Sequence, residues 1–391
     1  MTESIANTAA EVADAIADAA RAGATLEIRG GGSKAPIGAP RQSAILDMSG
    51  FCTVSDYDPA ELVLTAGAGT PLSLIDQLVD SEGQMLAFEP FDHGPIFGEP
   101  AGAATLGGVI AAGAAGSRRL TMGGARDHLL GFTAVSGRAE VFVAGAKVVK
   151  NVTGYDLPKL AAGSWGRLFA ITEMTVKVMP RGRESATRVI EGLSPDAAQR
   201  AMARAMGSQA EVTAAGHIPA ALNGGVSVTA WRLAGFGPSV AARCGMVEAA
   251  LADFGAVRTP DAETAARIWK DLRTLSPLGG GRPLWRVNTP PSQGPALAQA
   301  LEQLGALWMF DWAGGLTWLT FDGDAGLVRA TAAQAGGHAT LIRAPEEMRR
   351  AVPALHPQPA GVAALEERVR RAFDPAGVFE TGRFHEAGRA D

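Results

Sequence analysis

Three glycine-rich segments carry residue types that could bind an anionic ligand. The first, residues 29–34, reads RGGGSK and directly follows a predicted strand at 25–29. Consecutive glycines have no Cβ to block a ligand and reach positive φ freely, so their backbone N–H groups can converge on an anion. Ser33 adds a hydroxyl donor and Lys34 adds a charge. For this segment alone a flexible surface turn is an equal alternative, and the GxxxxGKS/T pattern of a Walker A loop is absent.

The second and third segments follow in order along the chain. Residues 100–116 read PAGAATLGGVIAAGAAG, and so many small residues would let the chain wrap a long, flat ligand. Close packing of helices would explain the spaced glycines but not the turn predicted at 105–108. Residues 163–166, GSWG, precede a β-rich run at 168–179. One such segment is weak evidence, whereas three in this order and spacing are a strong indication of a cofactor site.

Cysteine, histidine and charge content exclude several other chemistries. Cys52 and Cys244 are too few for a disulfide framework or for ligation of a cubane iron–sulfur cluster. None of the six histidines is spaced i, i+4 with another or adjoins a cysteine, so no metal site is expected. The net charge of −5 lacks the basic footprint of a nucleic-acid-binding protein and gives no reason to expect an anionic membrane surface as partner.

The elements that must position these segments indicate two domains, possibly three, in 391 residues. An amphipathic helix with Ile5, Val12 and Ile16 on one face opens the chain, and strands then alternate with a helix beginning at Pro71. This order is typical of an α+β or α/β nucleotide-binding domain, which we expect to end at residues 180–182.

After residue 183, alanine-rich helices alternate with strands, which predicts a second α+β domain. It includes a hairpin at 306–321, whose tryptophans we expect in the core, with an aromatic docking surface as the alternative. The acidic N-terminus is unlike a secretory leader, and the least charged run, 100–117, is a poor spanning helix, so we expect a cytoplasmic protein.

The segments together resemble a known family. The motifs are RGGGSK, the TLGG turn with its trailing glycines, KNVTGYDL, GSWGRL and ITEMTVKVMP. Together they resemble the FAD-binding domain of the vanillyl-alcohol oxidase/PCMH type over residues 5–180. FDPAGVFETGRF at 373–384 resembles the closing segment of that family. GGVIAAGAAGSRR (107–119) and KNVTGYDLPKLAAGSWG (150–166) are similar, more closely, to FAD-binding subunits of bacterial glycolate oxidases. Those enzymes are complexes of two flavoprotein subunits and an iron–sulfur subunit.

The resemblance implies an α+β fold with three parts. These are a two-part PCMH-type FAD-binding domain at 1–180, a smaller α+β cap domain at 183–345 and a C-terminal segment at 346–391 that returns to the FAD domain. His93 and His128, the histidines of the first part, match no attachment motif. We therefore expect non-covalent FAD.

The resemblance also implies cofactor roles, residue by residue. Backbone groups of Gly30, Gly31, Gly32, Ser33 and Lys34 would hold the pyrophosphate, and Thr105, Gly107 and Gly108 would line the ribityl and phosphate portion. Gly116 would pass close to the flavin, and Gly163 and Gly166 would shape the pocket wall. Ile171 and Thr172 would pair with the cofactor through their backbone.

The implied function is that of the FAD-binding subunit of a glycolate oxidase or dehydrogenase complex, which oxidises glycolate to glyoxylate. Electrons would pass to an iron–sulfur subunit, and a second FAD-binding subunit would be the catalytic partner. The HxGDGNxH motif of subunits that oxidise 2-hydroxy acids is absent. We therefore expect activity only within the complex, and the sequence assigns no catalytic residue.

Other interpretations stay open at this stage. The chain could be a self-sufficient FAD-dependent dehydrogenase of another 2-hydroxy acid or an alcohol, or a structural subunit whose flavin does not turn over. Arg118 and Arg119 could contact FAD phosphates or a partner's carboxylates, or lie in a solvated loop. Tyr155 could approach the flavin or simply pack.

Overall fold

Strands from the first 180 residues form three small sheets in the computed structural model, which describes residues 3–146 and 155–384. The strands are β1 (Glu3–Ile5), β2 (Leu26–Arg29), β3 (Ala44–Asp47), β4 (Val54–Asp58), β5 (Val63–Gly67), β6 (Gln84–Met85), β7 (Leu129–Ser136), β8 (Val141–Gly145), β9 (Phe169–Lys177) and β10 (Met179–Pro180). A parallel sheet has the order β1-β3-β2, an antiparallel sheet has the order β4-β5-β9-β7-β8, and β6 pairs with β10.

Short helices connect these strands. They are α1 (Ala9–Ala22), α2 (Leu72–Ser81), α3 (Leu106–Ala111), α4 (Arg119–Met122), α5 (Ala125–His128) and α6 (Leu157–Ala161). Helix α1 begins with a capping box between Thr8 and Glu11 and ends at Gly23, whose φ of +61° is the left-handed conformation that glycine favours. Its buried face, Val12 and Ile16, packs in one cluster with Leu46 of β3. The first helix therefore covers the parallel sheet.

The second half of the chain builds one seven-stranded antiparallel sheet with the order β11-β13-β12-β15-β16-β14-β17. Its strands are β11 (Glu184–Glu191), β12 (Ala214–Ile218), β13 (Val228–Gly235), β14 (Leu284–Asn288), β15 (Leu307–Asp311), β16 (Leu316–Thr320) and β17 (His338–Arg343). Its helices are α7 (Pro195–Met206), α8 (Gly237–Ala250), α9 (Ala262–Thr274), α10 (Gly294–Glu302) and α11 (Ala325–Gln334). Trp231, Trp285 and Trp308 are buried in its core.

The C-terminal segment contacts the first sheets again. After α12 (Glu346–Ala351) and α13 (Ala360–Phe373), the carbonyl of Val378 accepts the N–H of Leu26 on β2. The Asp374 carboxylate accepts the N–H groups of Val378 and Phe379, which fixes the turn that directs the chain back. Residues far apart in sequence are thereby brought beside the first glycine-rich loop.

The expected α+β fold class is confirmed, and several local expectations differ. Glu3–Ile5 is a strand that pairs with β3 and does not join the first helix. Residues 105–108, expected as a turn, open helix α3, for which Thr105 is the N-cap because its hydroxyl accepts the N–H of Gly108. No helix within the described ranges has the length and hydropathy needed to cross a membrane.

Candidate cofactor site

A cavity lies against the first glycine-rich loop, the start of α3 and the beginning of β9. Most of the predicted cofactor-binding residues line it together. They are Gly30, Gly31, Gly32, Ser33, Lys34, Thr105, Gly107, Gly108, Gly166 and Ile171. Segments separated by more than 130 residues in sequence therefore share one cavity, because β2, β5 and β9 carry them to neighbouring positions.

The remaining predicted residues lie beside the cavity or away from it. Gly163 adjoins the lining residue Ser164, and its N–H donates to Ile110. The carbonyl of Thr172 accepts the N–H of Ala68, so that carbonyl is already used within the protein. Gly116 lines a different, small cavity against the large sheet. Residues 150–154 of the matched KNVTGYDL motif lie outside the described residues.

The loop from Gly30 to Lys34 presents backbone donors without protein partners. In the part of the chain that the structure describes, no protein acceptor takes the N–H groups of these residues. A Cβ on Gly31 would lie 1.7 Å from the carbonyl oxygen of Ala103, and Gly32 has a φ of +74°. The loop therefore needs glycine for close packing and for conformation, and its donors are available to an anion.

Two cations, the buried Lys34 and the half-buried Arg383, line the same cavity. Burial lowers the pKa of Lys34 to about 8, although the Asp92 carboxylate opposes this shift and Arg383 adds to it. Burial also lowers the pKa of Arg383 to about 9, with Arg41 acting in the same direction and Glu27 opposing it. A buried cation is unfavourable unless an anion pairs with it. The site therefore offers two positive charges that a bound diphosphate would stabilise.

Arg383 and Trp165 are site residues that the sequence interpretation missed. The Nε of Arg383 donates to the carbonyl of Ile37 at 3.0 Å, and its guanidinium also donates to the carbonyl of Lys34. Its Cζ lies 4.9 Å from the ring centroid of Trp165, which lines the cavity. The resemblance of residues 373–384 to a closing segment was the only available signal, since Arg383 lies almost 350 residues from the loop it supports.

Helix α3 shapes the cavity and does not aim free donors into it. The N–H of Gly107 donates to Ala68, and the N–H of Gly108 donates to the Thr105 side chain. A Cβ on Gly107 would lie 2.8 Å from the Ala68 carbonyl oxygen, so this glycine serves helix–strand packing. A Cβ on Gly108 would lie 3.8 Å from the Lys34 Nζ and would project into the cavity.

The boundary between the cavity-bearing region and the large sheet is polar. Glu89 forms ion pairs with Arg118 at 3.1 Å and with Arg232 at 2.8 Å. The Ser117 hydroxyl donates to the Asp311 carboxylate at 2.8 Å, and burial raises the pKa of Asp311 to about 6 despite that bond. These contacts fix the orientation of the large sheet over the segment at 116–118.

The structure also bears on three alternatives that the sequence left open. Arg118 is buried and paired with Glu89, so it does not lie in a solvated loop, and it does not line the cofactor cavity. Trp308 and Trp318 of the 306–321 hairpin are buried, so that hairpin is core and offers no aromatic docking surface. Tyr155 is 91% exposed, so it does not pack in the core, and it does not line the cavity.

The chain is similar to proteins of known name in sequence and in fold. A family model described as an FAD binding domain matches residues 4–145. The glycolate oxidase subunit GlcE of Escherichia coli K12 is 34% identical over 363 residues, 92% of this chain and 92% of that protein. A D-lactate dehydrogenase of Archaeoglobus fulgidus is 34% identical over 40% of this chain and 34% of its own length.

A solved structure extends the similarity to the whole fold. p-Cresol methylhydroxylase superimposes with a TM-score of 0.73 at 14% identity, over 100% of this chain and 89% of that one. At this identity the likeness concerns the fold alone. It agrees with the PCMH-type architecture that the glycine-rich segments indicate.

Proposed function

The chain belongs to the family of the glycolate oxidase subunit GlcE, and from this premise we propose that it is the FAD-binding subunit of a complex that oxidises glycolate to glyoxylate. It is an FAD-dependent oxidoreductase, since its family model is an FAD-binding domain. The observation that carries the proposal is the similarity over 92% of both chains, together with a cavity built for an anionic cofactor.

The cavity fits FAD by charge and by donor type. We assign the pyrophosphate to the backbone N–H groups of Gly30–Lys34, with Lys34 and Arg383 supplying the opposing charge. The start of α3 would line the next part of the cofactor, with Gly108 leaving space for it. Bound FAD supplies hydride acceptance and one-electron release, which no protein side chain provides.

The remaining cofactor assignments are also part of the proposal. Gly166 and Ile171 would form the cavity wall. Gly163 would support the turn that precedes Gly166, and Thr172 would support the strand that follows Ile171. Gly116 would face the flavin from the second cavity. We propose that FAD is held non-covalently, because the buried ring of His93 stacks on Phe91 and His128 bonds to backbone carbonyls.

The proposal divides the chain into three working parts. Residues 1–180 would bind FAD, 183–345 would form the cap over it, and 346–391 would close the cofactor site through Arg383. The cap's contacts through Glu89, Ser117 and Asp311 would hold it in place over the flavin. A closed site of this kind orients substrate and keeps water from the reacting atoms.

We propose that the electrons leave through partner subunits. The sequence has only Cys52 and Cys244, one exposed and one buried, so an iron–sulfur relay must lie on another chain. The partners would be a second FAD-binding, catalytic subunit and an iron–sulfur subunit, in a cytoplasmic complex that could contact the inner membrane only through those partners.

The test is co-expression with candidate partner subunits, followed by size-exclusion chromatography and anaerobic addition of glycolate. We expect a stable hetero-complex, bleaching of the flavin absorbance by glycolate, and FAD released by acid. A Lys34→Met variant should assemble but contain little FAD in this chain, which separates its flavin from the partner's. A monomer that oxidises glycolate fully with an artificial acceptor would overturn the subunit assignment, and flavin retained on the denatured chain would overturn non-covalent binding.

A further inference from the structure

Six consecutive backbone carbonyls, those of residues 34–39, each accept a hydrogen bond from an arginine side chain. Three arginines share the six carbonyls, and each of them reaches two. We call these three residues the arginine clamp. The bonds run from Arg41 to Ala35 and Ala39, from Arg349 to Pro36 and Gly38, and from Arg383 to Lys34 and Ile37. The segment that continues from the cofactor loop is therefore held along its whole length by side chains.

The clamp joins this segment to the C-terminal part of the chain. Arg349 lies in α12, and its guanidinium is 2.8 Å from the Pro36 carbonyl oxygen, 313 residues away in sequence. The backbone N–H of Ala39 also donates to the Arg383 carbonyl at 2.9 Å. A Cβ on Gly38 would lie only 2.5 Å from that carbonyl oxygen. The two segments thus contact each other closely through backbone as well as through side chains.

The clamp brings more positive charge than carbonyl groups need. Buried carbonyls require donors, and neutral side chains could supply them. Here the donors are cations placed beside the buried Lys34. Glu27 pairs with Arg41 at 2.5 Å, but among the described residues no carboxylate forms an ion pair with Arg349 or Arg383. Uncompensated positive charge is unfavourable until an anion binds nearby. The clamp therefore suits a loop that holds a polyanion.

The position of Arg349 allows it to act on a cofactor through the loop. It does not line the cofactor cavity, whereas Ser33 and Lys34 do. A peptide group is planar and trans, so a carbonyl that is held also fixes the direction of the N–H that follows it. The N–H of Ala35 accordingly points back and donates to the Gly32 carbonyl at 2.8 Å. The clamp and this turn together fix the backbone on both sides of the cavity-lining residues.

We propose that Arg349 is a positioning residue for FAD, which holds residues 34–39 so that Lys34 and the backbone donors before it keep the geometry that binds the pyrophosphate. A loop that is already ordered loses little conformational entropy when its ligand binds. By linkage, bound FAD in turn stabilises the docking of residues 346–384 against the loop. This inference rests on the pyrophosphate assignment made under the proposed function and does not depend on the substrate.

The first experiment compares two neighbouring arginines of α12. FAD affinity of the full chain is measured from the quenching of flavin fluorescence. We expect Arg349→Met to raise the dissociation constant at least tenfold. Arg350→Met is the matched control, because it removes the same charge from an exposed side chain that pairs with Glu346, and it should leave the constant unchanged. An unchanged constant in Arg349→Met, or an equal rise in both variants, would overturn the proposal.

The second experiment separates the geometry of the loop from charge. Arg349→Lys keeps the positive charge but lacks the planar guanidinium that reaches two carbonyls. We expect this variant to restore only part of the affinity that Arg349→Met loses, leaving the FAD dissociation constant at least threefold above that of the unaltered protein. Complete restoration would assign the effect to charge alone and reject the positioning role.

A third experiment tests the coupling by hydrogen exchange, with and without FAD. In the unaltered protein we expect FAD to slow exchange in residues 34–39 and in residues 346–384. In Arg349→Met this slowing should be lost, while α1 exchanges at the same rate in both proteins. Faster exchange of α1 in the variant would indicate general destabilisation and reject a specific role. Protection by FAD that stops at residue 34 in the unaltered protein would reject the coupling.

The clamp and the proposed function can fail separately. If Arg349→Met weakens FAD binding as expected but glycolate does not reduce the flavin of the assembled complex, the proposed glycolate oxidation is wrong and the clamp stands. If glycolate reduces that complex and Arg349→Met binds FAD as tightly as the unaltered protein, the proposed function stands and the clamp is wrong.

Discussion

The cofactor cavity and the boundary with the large sheet bind charge in different ways. The cavity uses backbone donors of Gly30–Lys34, and its shape comes from missing side chains. The boundary uses large side chains, with Glu89 between Arg118 and Arg232 and Trp312 between Arg119 and Arg286. A backbone site leaves a local pattern in the sequence, whereas a side-chain site depends on which residues the fold brings together.

This difference predicts different responses to substitution. In the cavity, adding atoms should do damage, because glycines pack against backbone. At the boundary, removing a polar group should do damage, because its partner would stay buried without compensation. The following variants test this contrast, beginning with the largest expected effect.

Gly31→Val should be the most damaging change. Its Cβ would lie 1.7 Å from the Ala103 carbonyl oxygen, and a rigid backbone group cannot move aside as a flexible side chain can. We expect a loss of about 4 kcal/mol or more in the free energy of unfolding, together with loss of FAD. Urea unfolding and flavin content measure the two effects.

The matched control is Gly32→Ala, which has a φ of +74° and no close backbone neighbour. It should cost only the strain of a left-handed residue, about 1 kcal/mol. Equal destabilisation by the two variants would show that loop conformation, and not contact with Ala103, limits this segment.

Lys34→Met should separate cofactor binding from stability. Loss of a hydrogen bond from a charged group costs about 1.5–3 kcal/mol, so the FAD dissociation constant should rise about 10- to 150-fold. The apoprotein should be no less stable, because the variant removes a buried charge. Lys159→Met, at an exposed lysine, is the control for a lost charge alone. Unchanged FAD affinity in Lys34→Met would contradict the pyrophosphate assignment.

The pH dependence provides a further test of the Lys34 site. The folded pKa is about 8 against an ordinary value of 10.5, so between these values the unfolded chain binds more protons than the folded apoprotein. Lys34 should therefore make the apoprotein more stable as pH rises from about 8 to 10.5, by at most about 3 kcal/mol. FAD affinity should fall over the same range. Neither trend should appear in Lys34→Met, so the difference between the unaltered protein and this variant isolates the contribution of Lys34.

The contrast between backbone and side-chain sites also explains what the sequence could reveal. Helix α1 was predictable because Thr8, Glu11 and Gly23 specify its ends locally. The cofactor loop was predictable because its glycines are consecutive. The α+β class followed from the alternation of helices and strands, even where individual strands such as β4 and β12 were not predicted.

Arg383 and Arg349 could not be found in this way. Arg383 reaches the Lys34 carbonyl only because the chain turns back at Asp374, and nothing local marks that contact. Arg349 lies in an ordinary helix sequence, EEMRRA, and nothing local distinguishes it from Arg350. Long-range packing, which a single sequence does not display, decides both positions.

Gly107→Ala and Gly108→Ala compare packing with cofactor space on one helix. Alanine at 107 would meet the Ala68 backbone at 2.8 Å and should destabilise the protein by about 1–2 kcal/mol. Alanine at 108 should stabilise α3 slightly, since alanine favours helix over glycine by about 1 kcal/mol, yet its methyl group enters the cavity. We expect Gly107→Ala to lower the melting temperature and Gly108→Ala to lower FAD affinity. The reverse pattern would show that the two roles are misassigned.

Ser117→Ala should have the smallest effect, and it tests the boundary where Asp311 is buried. The Ser117 hydroxyl bond lowers the pKa of Asp311, while burial raises it to about 6, above its ordinary 3.8. Between these values the folded protein binds more protons than the unfolded chain, so the Asp311 term lowers stability as pH rises from about 4 to 6. Removing the Ser117 hydroxyl should raise the pKa of Asp311 further, so that the pH range over which stability falls extends higher. It should also lower the free energy of unfolding by about 1 kcal/mol at pH 7. Asp311→Asn should abolish this part of the pH dependence, whereas Ser55→Ala, at a serine remote from Asp311, should leave it unchanged. A pH profile that is the same in Ser117→Ala as in the unaltered protein would show that this hydrogen bond does not join the two regions.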